Sequence, residues 1–163
     1  MNTPQRMTRP SRMNAPQGKT MFPHTVTVYN TGEEDPITFE KKVHITVLRG
    51  MFFDARKAAN VRESGLANAD AVNLVIPFDV EAVNGVTGEK QTYLPPVSYE
   101  ASAEKARYWT IQPGDNCFFV KGEVVDPGMS FQEINATFDS VHKVTSADEK
   151  DFGGLQHIEV GGA

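Results

Sequence analysis

The sequence predicts an all-β fold: a small antiparallel β-barrel or sandwich with one long loop, at most one or two short helices, and an extended N-terminal arm. Three observations predict it. Apolar and β-branched residues recur with period two in short runs, at 25–29, 43–48 and 71–78, as in strands with a buried face. Thirteen Gly and ten Pro interrupt the 163 residues, among them the turn pairs Asn84-Gly85, Pro113-Gly114 and Pro127-Gly128. Helical patterns are few and short, the best being residues 98–107 with Ser98 or Ser102 as N-cap, and a single turn at 131–134 behind Ser130.

In chain order, residues 1–21 form the arm and 22–163 one domain. The run 25–29 is a strand closed by Asn30-Thr31-Gly32, and 37–39 with 43–48 return as its hairpin partner. His44 and Thr46 then share one face and Val43, Ile45 and Val47 the other. Leu48 leads without a clear break into Met51-Phe52-Phe53, consistent with one long bent strand with Gly50 at a bulge or bend. Residues 54–70 read as a loop, because Asn60, Ser64 and Gly65 cut short any helix. The strand 71–78 follows, then a turn at Asn84-Gly85 or Gly88, with 91–94 pairing back until Pro95-Pro96. Strands are also read at 108–111, 117–120 and 123–125. A last hairpin pairs 138–146 with 156–160 across a polar turn.

Charge is unevenly placed. The net is −5, but Arg6, Arg9, Arg12 and Lys19 lie in a first 20 residues that hold no acid; the rest carries 12 bases against 21 acids, a net of −9. An acidic body argues against a general nucleic-acid binder, whose clustered bases neutralise phosphates. It suits a wall past which DNA slides without sticking. One cysteine, Cys117, excludes an intramolecular disulfide and a Cys-rich zinc site. No run of about 20 apolar residues is present for a membrane helix, and the N-terminus lacks the apolar core of a secretory signal. No membrane partner is expected.

The chemistry-bearing residues give no catalytic pattern. Cys117 with His24, His44, His142 or His157 could form a thiol–imidazole pair, but Cys117 heads the apolar run Phe118-Phe119-Val120, where a small buried hydrophobe is expected. The four histidines are scattered singly, so no metal site is expected. The acids Asp148, Glu149, Asp151 and Glu159 lack the alternation of a Ca²⁺ loop, and 85–90 lacks the ending of a phosphate loop. No cofactor and no catalytic residue is assigned.

One positive cluster remains. Arg49, Arg56, Lys57 and Arg62 fall within fourteen residues with only Asp54 and Glu63 opposing them. Such a run is either a solvated loop or a basic rim meeting an acidic neighbour or DNA. With Arg6, Arg9 and Arg12 of the arm, these residues are the candidate intersubunit or partner contacts. The arm is either a tail or a segment that orders against a neighbouring subunit, with its prolines limiting the entropy lost.

The run 47–70, then Ile76-Pro77, Gln112-Pro113-Gly114-Asp115, Lys121-Gly122-Glu123, and the closing 145–154 with 157–162, resemble a family of small proteins encoded among the head and neck genes of tailed phages and prophages of Gram-positive bacteria. The resemblance covers about residues 22–162. The C-terminal arrangement is also similar to head-closure (stopper) proteins, small β-barrels that form a ring beneath portal and adaptor. The resemblance implies a non-enzymatic virion protein of the neck, assembled in the host cytoplasm as a ring of six or twelve copies. Such a ring contacts the portal or adaptor above and a tail-terminator or tail-tube protein below, while packaged DNA passes without sequence-specific binding. Tail-completion or minor capsid proteins are the neighbouring alternatives; a nucleic-acid-binding barrel or a hydrolase is the alternative from another class.

Overall fold

The structure, a computed structural model, describes residues 21–56 and 71–163 in full and the backbone of 59–62 and 65–68. Strand β1 (His24–Glu34) is the element from which both cores can be read. Its Val26 and Val28 point to one face and Thr27 and Tyr29 to the other, and all four are fully buried. A strand buried on both faces needs a layer on each side. One layer is the barrel interior; the other is a segment laid over the outer wall.

The barrel has six antiparallel strands. β1 pairs with β9 (Cys117–Lys121), β9 with β10 (Val141–Lys150), β10 with β11 (His157–Gly162), β11 with β5 (Ala71–Pro77), β5 with β2 (Lys41–Arg56), and β2 closes onto β1. Closure removes the exposed edges that an open sheet would offer to other chains. Its interior is filled by Val26, Val28, Leu48, Met51, Leu74, Ile76, Phe119, Ile158 and Val160, with the sole tryptophan, Trp109. The fold class read from alternation and turn content is thus the observed one.

Gly50 makes the closure possible. β1 pairs Thr25 with Arg49 but His24 with Met51, so Gly50 is an extra residue, at φ 88°. Its left-handed backbone suits glycine. The bulge moves the alternation by one, so that Leu48 before it and Met51 and Phe53 after it all face inward while Phe52 turns out, 40% exposed. It also divides the strand's other edge: residues 46–49 pair with β6 (Glu81–Asn84) and residues 52–56 with β5. The expected long bent strand, with its bulge at Gly50, is present.

The outer layer comes from the chain after β9. Gly122, at φ 93°, turns it out of the sheet. Thr27 Oγ1 donates to Gly122 O (2.7 Å) and accepts from Val124 N (2.9 Å), while Tyr29 OH donates to Val124 O and accepts from Asp126 N (3.1 Å). Residues 123–125 therefore run over the wall, and the strand predicted there does not form. Helix α2 (Phe131–Thr137) follows, with Ser130 Oγ accepting from Glu133 N and the Glu133 carboxylate accepting from Ser130 N, a reciprocal capping box. The expected turn behind Ser130 is present and longer. Ile134 buries against Tyr29, Ile45, Phe118 and Val120, and the Tyr29 ring stacks on Phe118 at 4.6 Å.

Other expectations are corrected by particular contacts. Asn30-Thr31-Gly32 is strand, not turn, because Asn30 is buried and donates to Thr110 O (2.9 Å). The turn is made by Asp35-Pro36, where the Asp35 carboxylate accepts from the N–H of Ile37 (2.8 Å) and Thr38 (3.0 Å), so 37–39 is not strand. Residues 54–70 are not a loop throughout. β2 runs to Arg56 paired with β5, and between them β3 (Ala59–Arg62) and β4 (Gly65–Asn68) form an antiparallel hairpin.

The return of 91–94 is brief: Lys90 bridges Val83 and Gln91 N donates to Ala82 O (2.9 Å), whereas β7 (Thr92–Tyr93) pairs in parallel with β8 (Tyr108–Trp109), which ends before Thr110. Helix α1 (Pro96–Ala101) begins two residues before the predicted start, with Pro95 as N-cap, because a proline at the first position presets the helical φ. Ser98 and Ser102 do not cap its start, and Ser102 ends it. A separate 3-10 turn at Lys105–Arg107 takes up the rest of the predicted helix. The last hairpin is longer than expected, with Ala147 to Lys150 in strand.

Candidate assembly surfaces

Arg49 sits beside the Gly50 bulge, half-exposed, with Nη2 3.1 Å from Glu123 Oε2 and Nη1 3.7 Å from Glu81 Oε1. It ties β2 to β6 and to the chain leaving β9. Such exposed pairs contribute on the order of 0.2–1 kcal/mol each, so Arg49 orients these segments more than it stabilises them. Arg56, seven residues on and roughly 23 Å along the strand at about 3.3 Å per residue, is largely exposed and lies 3.7 Å from Asp54. The two arginines do not form one patch. The side chains of Lys57 and Arg62, and the arm residues Arg6, Arg9 and Arg12, lie outside the described residues.

Register brings together three residues that the sequence keeps apart. Asn30 pairs with His44 on one side and Cys117 on the other, so the three lie in one row across β2, β1 and β9. The row does not make a nucleophile. Cys117 is buried in the barrel core, where desolvation pushes its thiol up to about 12, the opposite of an activated cysteine. His44 is held below the ordinary histidine value by burial and by the charges of Lys105 and Lys42, which leaves the ring neutral. Tyr99 OH and Thr110 Oγ1 are buried without a hydrogen-bond partner. Among the described residues no three His, Cys, Asp or Glu are grouped to hold a metal ion, and no helix is long and apolar enough to cross a membrane.

What stands out instead is apolar surface on two hairpin tips. At the β1–β2 tip Ile37 is 84% and Phe39 73% exposed, and at the β10–β11 tip Phe152 is 71% and Leu155 43% exposed. Both tips leave the barrel at the same end, since β1 and β10 each run antiparallel to β9. Phe39 also has φ 59°, a left-handed backbone unusual for a bulky residue. Beside the first tip a cleft of about 620 Å³ opens between β1, the start of β9 and residues 127–132, floored by Tyr29, Phe118, Met129 and Phe131 and flanked by Glu40 and Asp115.

These tips were not identified from sequence. Phe152 is an aromatic between Asp151 and Gly153-Gly154, and an aromatic inside a turn was the available signal. Phe39 gave none, because Ile37 to Phe39 was read as strand.

A closed six-stranded antiparallel barrel, walled on one side by a helix-bearing segment and exposing apolar hairpin tips at one end, defines the class: a small β-barrel. The chain belongs to a family of unknown function, DUF6751, whose model matches residues 21–163 and leaves out the first 20. No curated protein and no solved structure matches it.

Proposed function

We propose that this chain is a structural protein of a tailed-phage virion, a head-closure (stopper) subunit of the ring between head and tail. The observation that carries the reading is Phe39: a large apolar side chain, exposed on a hairpin tip, in a backbone conformation that favours glycine. Exposed strain of this kind persists where a contact uses it. With Ile37, Phe152 and Leu155 it gives one barrel end four apolar side chains, a surface for the portal or adaptor on one side or the tail protein on the other. The resemblance of the blocks 47–70, 112–115 and 145–162 to the phage neck family supports the same reading.

In this reading there is no active site. Six or twelve copies close into a ring in which Arg49, Arg56, Lys57 and Arg62 contribute to intersubunit contacts at separate points, and charge sets orientation more than affinity. The net −9 of residues 21–163 suits a channel wall that lets packaged DNA pass. Assembly takes place in the host cytoplasm and the protein ends in the virion neck.

Immunogold labelling of virions that carry this chain, with mass-resolved chromatography of the purified protein, tests the proposal. A label confined to the head–tail junction, lost when Phe39→Asp and Phe152→Asp are combined, is the expected result. Label over the whole capsid would point to a minor capsid protein, label at the far tail end to a tail-completion protein, and absence from virions would overturn the virion reading.

A further inference from the structure

Asn84-Gly85 is the sole Asn-Gly pair in the sequence, and it stands where β6 ends and its turn begins. In an unfolded chain such a pair is open to deamidation, because glycine has no Cβ to hinder the approach of its nitrogen and leaves the backbone free to bend toward the side chain. The Gly85 nitrogen gives up its proton and bonds to Asn84 Cγ; the Cγ–Nδ2 bond breaks, and Nδ2 takes up a proton and leaves as ammonia. Water then opens the cyclic succinimide at either carbonyl, giving aspartate or isoaspartate.

The fold prepares one half of this reaction and blocks the other. Asn84 Oδ1 accepts from Val86 N (2.9 Å) and Thr87 N (3.1 Å), donors that polarise the Cγ–Oδ1 bond as an oxyanion hole does. Val86 beside it is 65% exposed, so water and base reach the turn. The nucleophile, however, is tied down. Gly85 N donates to Ile45 O at 2.8 Å, one step past the Thr46–Asn84 pair of the β6–β2 ladder, and a bonded amide releases its proton only when the bond opens. On its other side Asn84 donates its N–H to Glu89 O (2.7 Å) and its carbonyl accepts from Gly88 N (2.8 Å). Packing fixes the same peptide: a Cβ on Gly85 would lie 2.8 Å from Ile45 Cγ2 and 3.1 Å from Val125 Cγ2. A bulkier residue, which would slow the chemistry, has no room there, so the labile pair is the one that fits.

We infer that Asn84 is a latent deamidation site gated by the Gly85–Ile45 hydrogen bond, unreactive while β6 is paired with β2 and converted once that edge opens. Isoaspartate adds a methylene to the main chain, which at position 84 breaks the register with Thr46, so an edge that has opened for long enough does not close again. The inference is read from one chain and is independent of the assembly reading.

Peptide mapping by mass spectrometry tests it on the full-length protein, incubated at mildly alkaline pH either folded in buffer or unfolded in guanidinium chloride, with amide hydrogen exchange followed in parallel. The expected result is conversion of Asn84 to aspartate and isoaspartate in the unfolded chain, and a rate at least about tenfold lower in the folded one, where the Gly85 amide is protected. At guanidinium concentrations below the unfolding midpoint, exchange at Gly85 and conversion at Asn84 should rise together. Conversion as fast in the folded chain as in the unfolded one overturns the inference, and so does an unfolded chain in which Asn84 stays intact. A folded chain that keeps Asn84 although the Gly85 amide exchanges freely overturns it as well, since the hydrogen bond is then not the gate.

Discussion

Gly50 carries more of the fold than its size suggests. The bulge keeps Leu48, Met51 and Phe53 on the inner face, and a Cβ at φ 88° costs about 1–2 kcal/mol. Gly50→Ala should therefore lower the unfolding free energy by that amount, read as a lower urea midpoint with an unchanged slope. Cys117 gives a second prediction at this scale. With its thiol pushed up to about 12, almost no thiolate exists at pH 8, so a disulfide-exchange reagent should leave the folded protein unmodified and react fully once denaturant is added. His157 gives a third. Its two ring nitrogens face Leu155 O (2.9 Å) and Glu159 Oε1 (3.2 Å), and the backbone carbonyl first, then the carboxylate, raises its pKa. A raised folded value means that the stabilisation is complete below about 6.5, the free-imidazole value, and is lost as pH rises through the folded value. Urea unfolding of His157→Gln should thus show a larger deficit against the native protein at pH 5.5 than at pH 8.

Among the elements, α2 depends most on one local device. Seven residues are too few to form a helix alone, and its start is held by the Ser130–Glu133 capping box while its inner face is held by Ile134. Ser130→Ala should cost about 1 kcal/mol, read as a lowered urea midpoint with an unchanged slope. The Ser130 cap was legible because a serine stands directly before the turn at 131–134, whereas the reciprocal contact of Glu133 is shown by the structure. The β3–β4 hairpin was not, since Ala, Asn and Gly there have no strand preference and their pairing follows from β2 and β5 lying side by side. Turn chemistry misled at Asn30-Thr31-Gly32, where a buried cross-strand role for Asn30 overrode local propensity.

For the whole molecule, the two cores occupy opposite faces of the same strands. β1 contributes Val26 and Val28 to the interior and Tyr29 to the outer layer; β9 contributes Phe119 to one and Phe118 and Val120 to the other. Neither core can be lost while the other persists, so thermal unfolding followed by far-ultraviolet circular dichroism and by the fluorescence of buried Trp109 should give coincident transitions. Two separated transitions would show that the outer layer is an independent unit.

From the sequence alone came the all-β class, the position of the Gly50 bulge, the Ser130 cap and the burial of Cys117, because period-two alternation, glycine at a break and a capping serine are local signals. The closing of β2 onto β1, the one-sided covering of the wall and the gathering of Phe39 and Phe152 at one end were decided only by the tertiary structure. They depend on which strands meet, and residues 29 and 118 or 39 and 152 carry no mark of each other until the barrel's register sets them on a shared wall or at a shared end.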